Sequence, residues 1–185
     1  MPGYRNGTLP LIRSGRDTLE LSIMVAVTRR YLLFFLLSAA WMLGQTKKPN
    51  FSGRWRMVKG KSEFHGFKTP DIIVRTVEHR DPTLNLHTVQ TTGTKTTISD
   101  ISYFTDGATA NNLINGRNAS SRAYWDGPAL VIKTEMKNSK GEAEQIEDRW
   151  ELSEDGQTLT TRSHIVTEKG EADLVLVCSK EASNP

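Results

Sequence analysis

The chain has one cysteine, Cys178, so no internal disulfide can form and the fold must stand on its packed core. It also lacks a surplus of one charge where it folds. Five arginines against Asp17 and Glu20 in residues 1–40 account for the whole formal charge of +3, and residues 41–185 hold 19 basic and 19 acidic side chains. A neutral domain has no electrostatic footprint for nucleic acid and no polybasic run for anionic lipid. No apolar run reaches the roughly 20 residues a spanning helix needs; the longest, Tyr31–Gly44, has 14. There is no Gly-x-Ser-x-Gly elbow, P-loop, dinucleotide fingerprint or close histidine pair, so neither cofactor nor metal is implied. Nor is the composition that of a disordered or fibrous chain, with 37% hydrophobic and 24% charged residues.

The N-terminal part reads as an address. Thr28-Arg29-Arg30 precedes the apolar run Tyr31–Leu37 and the small residues Ser38-Ala39-Ala40. That order of basic, apolar and small-residue regions is a secretory signal. Residues 24–44 are therefore expected to be removed on export to a periplasmic or secreted location, with residues 1–23 an extension upstream of the start and 45–185 the domain.

After Gln45 the sequence turns to Thr, Val and Ile, punctuated by glycine in Asp106-Gly107, Asn115-Gly116, Asp126-Gly127 and Asp155-Gly156. Such pairs favour the left-handed backbone of tight hairpin turns. About ten residues of alternating pattern lie between turns, as in Ala129–Lys137 and Glu144–Leu152, which predicts about ten antiparallel strands and no long helix. A meander of that length removes its edges by closing into a barrel of about 8–10 strands; a two-sheet sandwich is the alternative. The stretch Lys59–Thr69 is irregular and is expected to form a short helical turn or a lid.

Gly53-Arg54-Trp55 stands at the start of the first predicted strand. The Gly-x-Trp pattern in that place resembles the lipocalin and fatty-acid-binding superfamily, the calycins. The run from Trp150 to Thr160 is similar to a hairpin of small exported bacterial lipocalin-like proteins. The resemblance implies an all-β barrel whose Trp55 closes the floor against a basic side chain from near the C-terminus, with Arg162 and Lys180 the candidates. Two family features are missing. Lys59–Thr69 is too short for the helix pair of intracellular fatty-acid-binding proteins, and no Arg-x-Tyr clamp lies near the C-terminus.

Candidate binding residues follow from strand alternation. Arg122 and Tyr124 share one face of a strand and would hold a ligand carboxylate if that face lines the barrel; a solvent-facing surface is the alternative. Asp148 shares a face with Ile146, Trp150 and Leu152, an expensive place for an unpaired carboxylate. Tyr103, Trp125 and Trp150 supply wall material. All four histidines are expected at the surface, His65 alone lying where an aromatic-flanked ring would touch a ligand. The leading expectation is a monomeric exported protein that binds a small apolar or amphipathic molecule. A filled barrel serving as an interaction module, and a small barrel enzyme, are the alternatives.

Overall fold

The computed structural model describes residues 48–138 and 140–182; the predicted extension and signal lie outside them. Strand β1 spans Gly53–Met57, and a 3-10 turn at Lys59–Lys61 leads to the two-residue β2, Glu63–Phe64. The remaining strands are β3 (Ile72–Arg80), β4 (Thr83–Thr92), β5 (Lys95–Phe104), β6 (Thr109–Ile114), β7 (Arg117–Asp126), β8 (Ala129–Lys137), β9 (Ala143–Leu152), β10 (Thr158–Thr167) and β11 (Gly170–Lys180). All belong to one antiparallel sheet, in the order β5-β4-β3-β1-β11-β10-β9-β8-β7-β6, with β2 added beside β11. A single continuous sheet rules out the sandwich. The meander curls until its two end strands, β5 and β6, face each other and nearly close a barrel.

The strands run longer than their apolar patterns. β7 begins at Arg117 and β11 at Gly170, because polar residues keep the hydrogen-bonded ladder up to the turn. The β6–β7 loop is the two-residue turn Asn115-Gly116, with φ of 51° and 77°. Both central residues of such a hairpin turn need positive φ, which asparagine tolerates and glycine adopts freely. The β3–β4 loop uses Asp81-Pro82 instead, with no glycine to announce it.

Alternation places the core. Trp55, Leu84, Leu130, Ile132, Trp150, Leu159 and Cys178 face inward and are fully buried toward one end of the barrel. Phe51, in the extended chain before β1, plugs that end. Its ring stacks on Trp125 at 5.9 Å and on His79 at 5.8 Å, and meets Trp150 edge-on at 5.7 Å. The indole N–H of Trp55 donates to the Phe51 carbonyl at 2.9 Å. Aromatic pairs in these geometries add about 0.5–1.5 kcal/mol each beyond burial, so the floor is stabilised by more than its buried area.

Lys180 is the basic partner of Trp55, its Nζ 5.2 Å from the ring centroid. The two residues face each other across the β1–β11 ladder. Arg162 points outward and takes no part. His79 corrects the expectation of four surface histidines: it is only 4% exposed, because its place on β3 turns it inward beneath Phe51. The other three lie outside, His65 beside Glu63, His87 beside Asp100 and His164 beside Asp173. No helix among the described residues is long and apolar enough to cross a membrane.

Candidate functional site

Above the aromatic floor the inward-facing side chains turn polar. Arg75 comes from β3, Tyr103 from β5, Asp148 and Trp150 from β9, and Thr161 and Ser163 from β10. The ladder sets Trp150 beside Thr161 and Asp148 beside Ser163. Arg75 lies beside Trp55 on the opposite arc of the sheet. Strands β3 and β10 are separated by β1 and β11. Arg75 nevertheless donates from Nη1 to Thr161 Oγ1 at 3.1 Å, so its side chain crosses the barrel interior.

This cluster is incompletely satisfied. The Arg75 guanidinium carbon sits 5.5 Å from the centroid of the Trp150 ring, a cation–π contact. Arg75 Nε and Trp150 Nε1 are both buried without a hydrogen-bond partner. Arg75 has no carboxylate at ion-pair distance among the described residues. An unmet buried donor costs about 1–3 kcal/mol, so the guanidinium N–H and the indole N–H near it define a place for an acceptor.

Asp148 accepts a short hydrogen bond from Ser163 Oγ. Burial pushes its carboxyl well above the ordinary value, while the Ser163 hydroxyl and the Arg75 charge pull the other way. Tyr103 is 4% exposed, and its phenol is pushed up first by burial and then by the Asp148 charge. Cys178 is raised as well, by burial.

The interior above the floor is not packed solid. Arg75, Thr88, Ile101, Ile146, Asp148, Ser163 and Leu174 all face inward, yet each keeps surface open to solvent. Asp148 is half-buried on the inward face of β9. At the mouth, Arg117 and Glu144 form a half-buried ion pair.

A concavity of about 960 Å³ among the described residues does not contain the cluster. It straddles the strand ends of β6–β9, with inward-facing Asn112, Ala119 and Met136 and outward-facing Leu113, Ser120 and Gln145 among its walls. A hollow lined from both sheet faces is a groove at the rim, not the lumen.

The structure separates the sequence-predicted residues into three places. Asp148, Trp150 and Tyr103 share the luminal cluster. Trp125 faces inward but belongs to the floor, stacked on Phe51 with Lys48 Nζ 5.4 Å from its centroid. Arg122 and Tyr124 do share a face, as alternation requires, but it is the outer one. Arg122 donates to Thr109 Oγ1 at 3.0 Å, and both line an external groove of about 650 Å³ with Lys133 and Glu135. The luminal clamp is thus corrected in favour of the solvent-facing alternative: their neighbours Ala123 and Trp125 take the inward positions of β7. Gly53 and Trp55 sit at the floor as the motif implied. His65 is exposed, against Glu63 and away from the lumen. Arg75 escaped the sequence reading. Its signal was an arginine between Val74 and Thr76, sharing the parity of Ile73 and Val77.

No cluster of His, Cys, Asp and Glu among the described residues is placed to hold a metal. No family model matches the chain, and no curated protein matches it. Solved structures do. Two secretory abundant heat soluble proteins of Ramazzottius varieornatus align at TM-scores of 0.52 and 0.51, with 12% and 14% identity. They cover 75% and 74% of this chain and 100% and 98% of their own. The fold is a calycin-like β-barrel. A zebrafish ileal bile acid-binding protein complexed with cholic acid also aligns, at TM-score 0.48 and 15% identity, over 71% of this chain and 98% of its own. At such identities a calycin likeness establishes architecture alone.

Proposed function

We propose that this protein is an exported carrier that holds a small amphipathic molecule inside the barrel, its polar head on Arg75 and its apolar body along Ile101, Ile132, Ile146 and Leu174. The observation that carries this reading is the luminal guanidinium whose Nε, beside the partnerless indole N–H of Trp150, has no acceptor. Ligand pockets of this kind are mostly apolar with a few convergent polar groups. Ser163, Thr161 and Asp148 supply further contacts at the same height. Trp150 stands against the guanidinium, so occupancy of the site would alter its fluorescence.

The test is a titration of the mature domain with a panel of fatty acids, bile acids and terpenoids, followed by tryptophan fluorescence and by mass spectrometry of co-purified molecules. A saturable response that weakens at least tenfold in Arg75→Leu is expected. A panel without any saturable response would move the protein to an interaction role. The export half of the reading rests on the Thr28–Ala40 pattern. N-terminal sequencing of the mature protein should find a start between Trp41 and Lys47; a start at Met1 or Met24 would remove it.

A further inference from the structure

We propose that anion binding in this lumen is proton-linked: when an anionic head group sits on Arg75, Asp148 carries a proton taken from solvent. The inference rests on the carrier reading and adds to it a charge rule for the ligand.

Asp148 lies between Ile132 on β8 and Ser163 on β10, with Ile146 and Trp150 as its inward neighbours along β9. Arg75 approaches from β3 and Tyr103 from β5, while Cys178 lines β11 and Thr134 lines β8. From β7 come Ser121 and Ala123, without charge. Glu144 is two inward positions nearer the mouth, already paired with Arg117. Among the described residues Arg75 is thus the one cation whose charge reaches Asp148, and it does so without a direct ion pair.

An anion that takes Arg75 uses up that charge and brings a second negative charge into the same low-dielectric space. Two anions beside one guanidinium repel. A proton on Asp148 removes the repulsion and turns the carboxyl into a donor, for which the anion is an acceptor. Burial already favours the neutral acid, against the opposing pull of the Ser163 hydroxyl and the Arg75 charge. A neutral ligand brings no such charge and needs no proton.

Two fluorescent probes differ in the required respect. 1-Anilinonaphthalene-8-sulfonate keeps an ionised sulfonate from pH 5 to 9, and N-phenyl-1-naphthylamine has nearly the same rings without it. Wild-type affinity for the sulfonate should rise as pH falls, by up to about tenfold per pH unit where Asp148 takes up its proton. Affinity for the neutral amine should stay flat. Asp148→Asn should bind the sulfonate with no pH slope, and Arg75→Gln should lose far more affinity for the sulfonate than for the amine. Calorimetry of wild-type protein in buffers of different ionisation enthalpy should count up to one proton taken up per sulfonate bound. Saturable sulfonate binding with neither slope nor proton uptake, or a slope that survives Asp148→Asn, would overturn the linkage and leave the carrier reading standing. If neither probe binds, the carrier reading falls and the linkage with it.

Discussion

Lys180 occupies the space that a side chain at position 53 would need. A Cβ on Gly53 would come within 2.8 Å of Lys180 Cε, and the backbone there has φ of +145°. The Gly-x-Trp pattern is therefore one packing unit: Trp55 is the floor, Lys180 lies over it, and Gly53 leaves room for the lysine stem. Gly53→Ala meets both the contact and the strained backbone, and should destabilise the domain by about 1–3 kcal/mol. Trp55→Ala, which deletes a fully buried indole, should cost about 3–5 kcal/mol. Urea denaturation of the two variants checks both. A Gly53→Ala variant as stable as wild type would mean that Lys180 can leave Trp55 without penalty.

The floor should also fail first in acid. The backbone N–H of Phe51 donates to His79 Nδ1 at 3.3 Å, which places the ring proton on Nε2. Burial holds the His79 imidazolium form below its ordinary range, with the nearby Asp81 opposing. A depressed folded-state value means that the unfolded chain binds the proton more readily. The His79 contribution is thus present above about pH 6.5, the ordinary imidazole value, and is lost as pH falls below it. Asp148 works in the opposite direction: its folded value is raised, so its contribution favours acid and is lost as pH rises through the raised value. Urea midpoints at pH 7.5 and 5.5 should fall with acidity in Asp148→Asn, and the fall should shrink when His79→Phe is added. An equal fall in both proteins would exclude His79 as its source.

A third prediction concerns the seam. Strands β5 and β6 do not share a ladder, yet the Asn112 side chain pairs with the backbone N–H and C=O of one β5 residue. Its Oδ1 accepts from the Ser102 N–H at 2.9 Å, and its Nδ2 donates to the Ser102 carbonyl at 2.9 Å. One carboxamide thus does the work of a strand residue and pins the barrel shut. Asn112→Ala should cost about 1–2 kcal/mol for the two bonds. It should also speed hydrogen exchange at Ser102 while leaving the β8–β9 ladder protected. Exchange at Ser102 that is unchanged in the variant would show that other contacts hold the seam.

Cys178 provides a fourth check. It is 1% exposed and its thiol is pushed up by burial, so a disulfide reagent should not modify the folded domain and should react on unfolding. Modification of the native protein at the rate of a free thiol would contradict its place in the floor.

Strand number, the meander and the inward faces of β8 and β9 were legible in the sequence, because alternation and turn pairs are local properties of the chain. So was the floor role of Gly53 and Trp55, through the resemblance. Local pattern also said that Arg122 and Tyr124 share a face, but it could not say which face, since the sign of an alternation is fixed only when neighbouring strands supply the apolar side. The choice of Lys180 over Arg162 depended on the β1–β11 register, and the burial of His79 on where Phe51 enters the floor. Arg75 and Asp148 lie 73 residues apart in the sequence and come to one lumen only when the sheet closes. Chain order decided that there is a barrel. Closure decided that its interior holds Arg75 and Asp148 together, because charges so far apart in sequence interact only through the space that the folded sheet encloses.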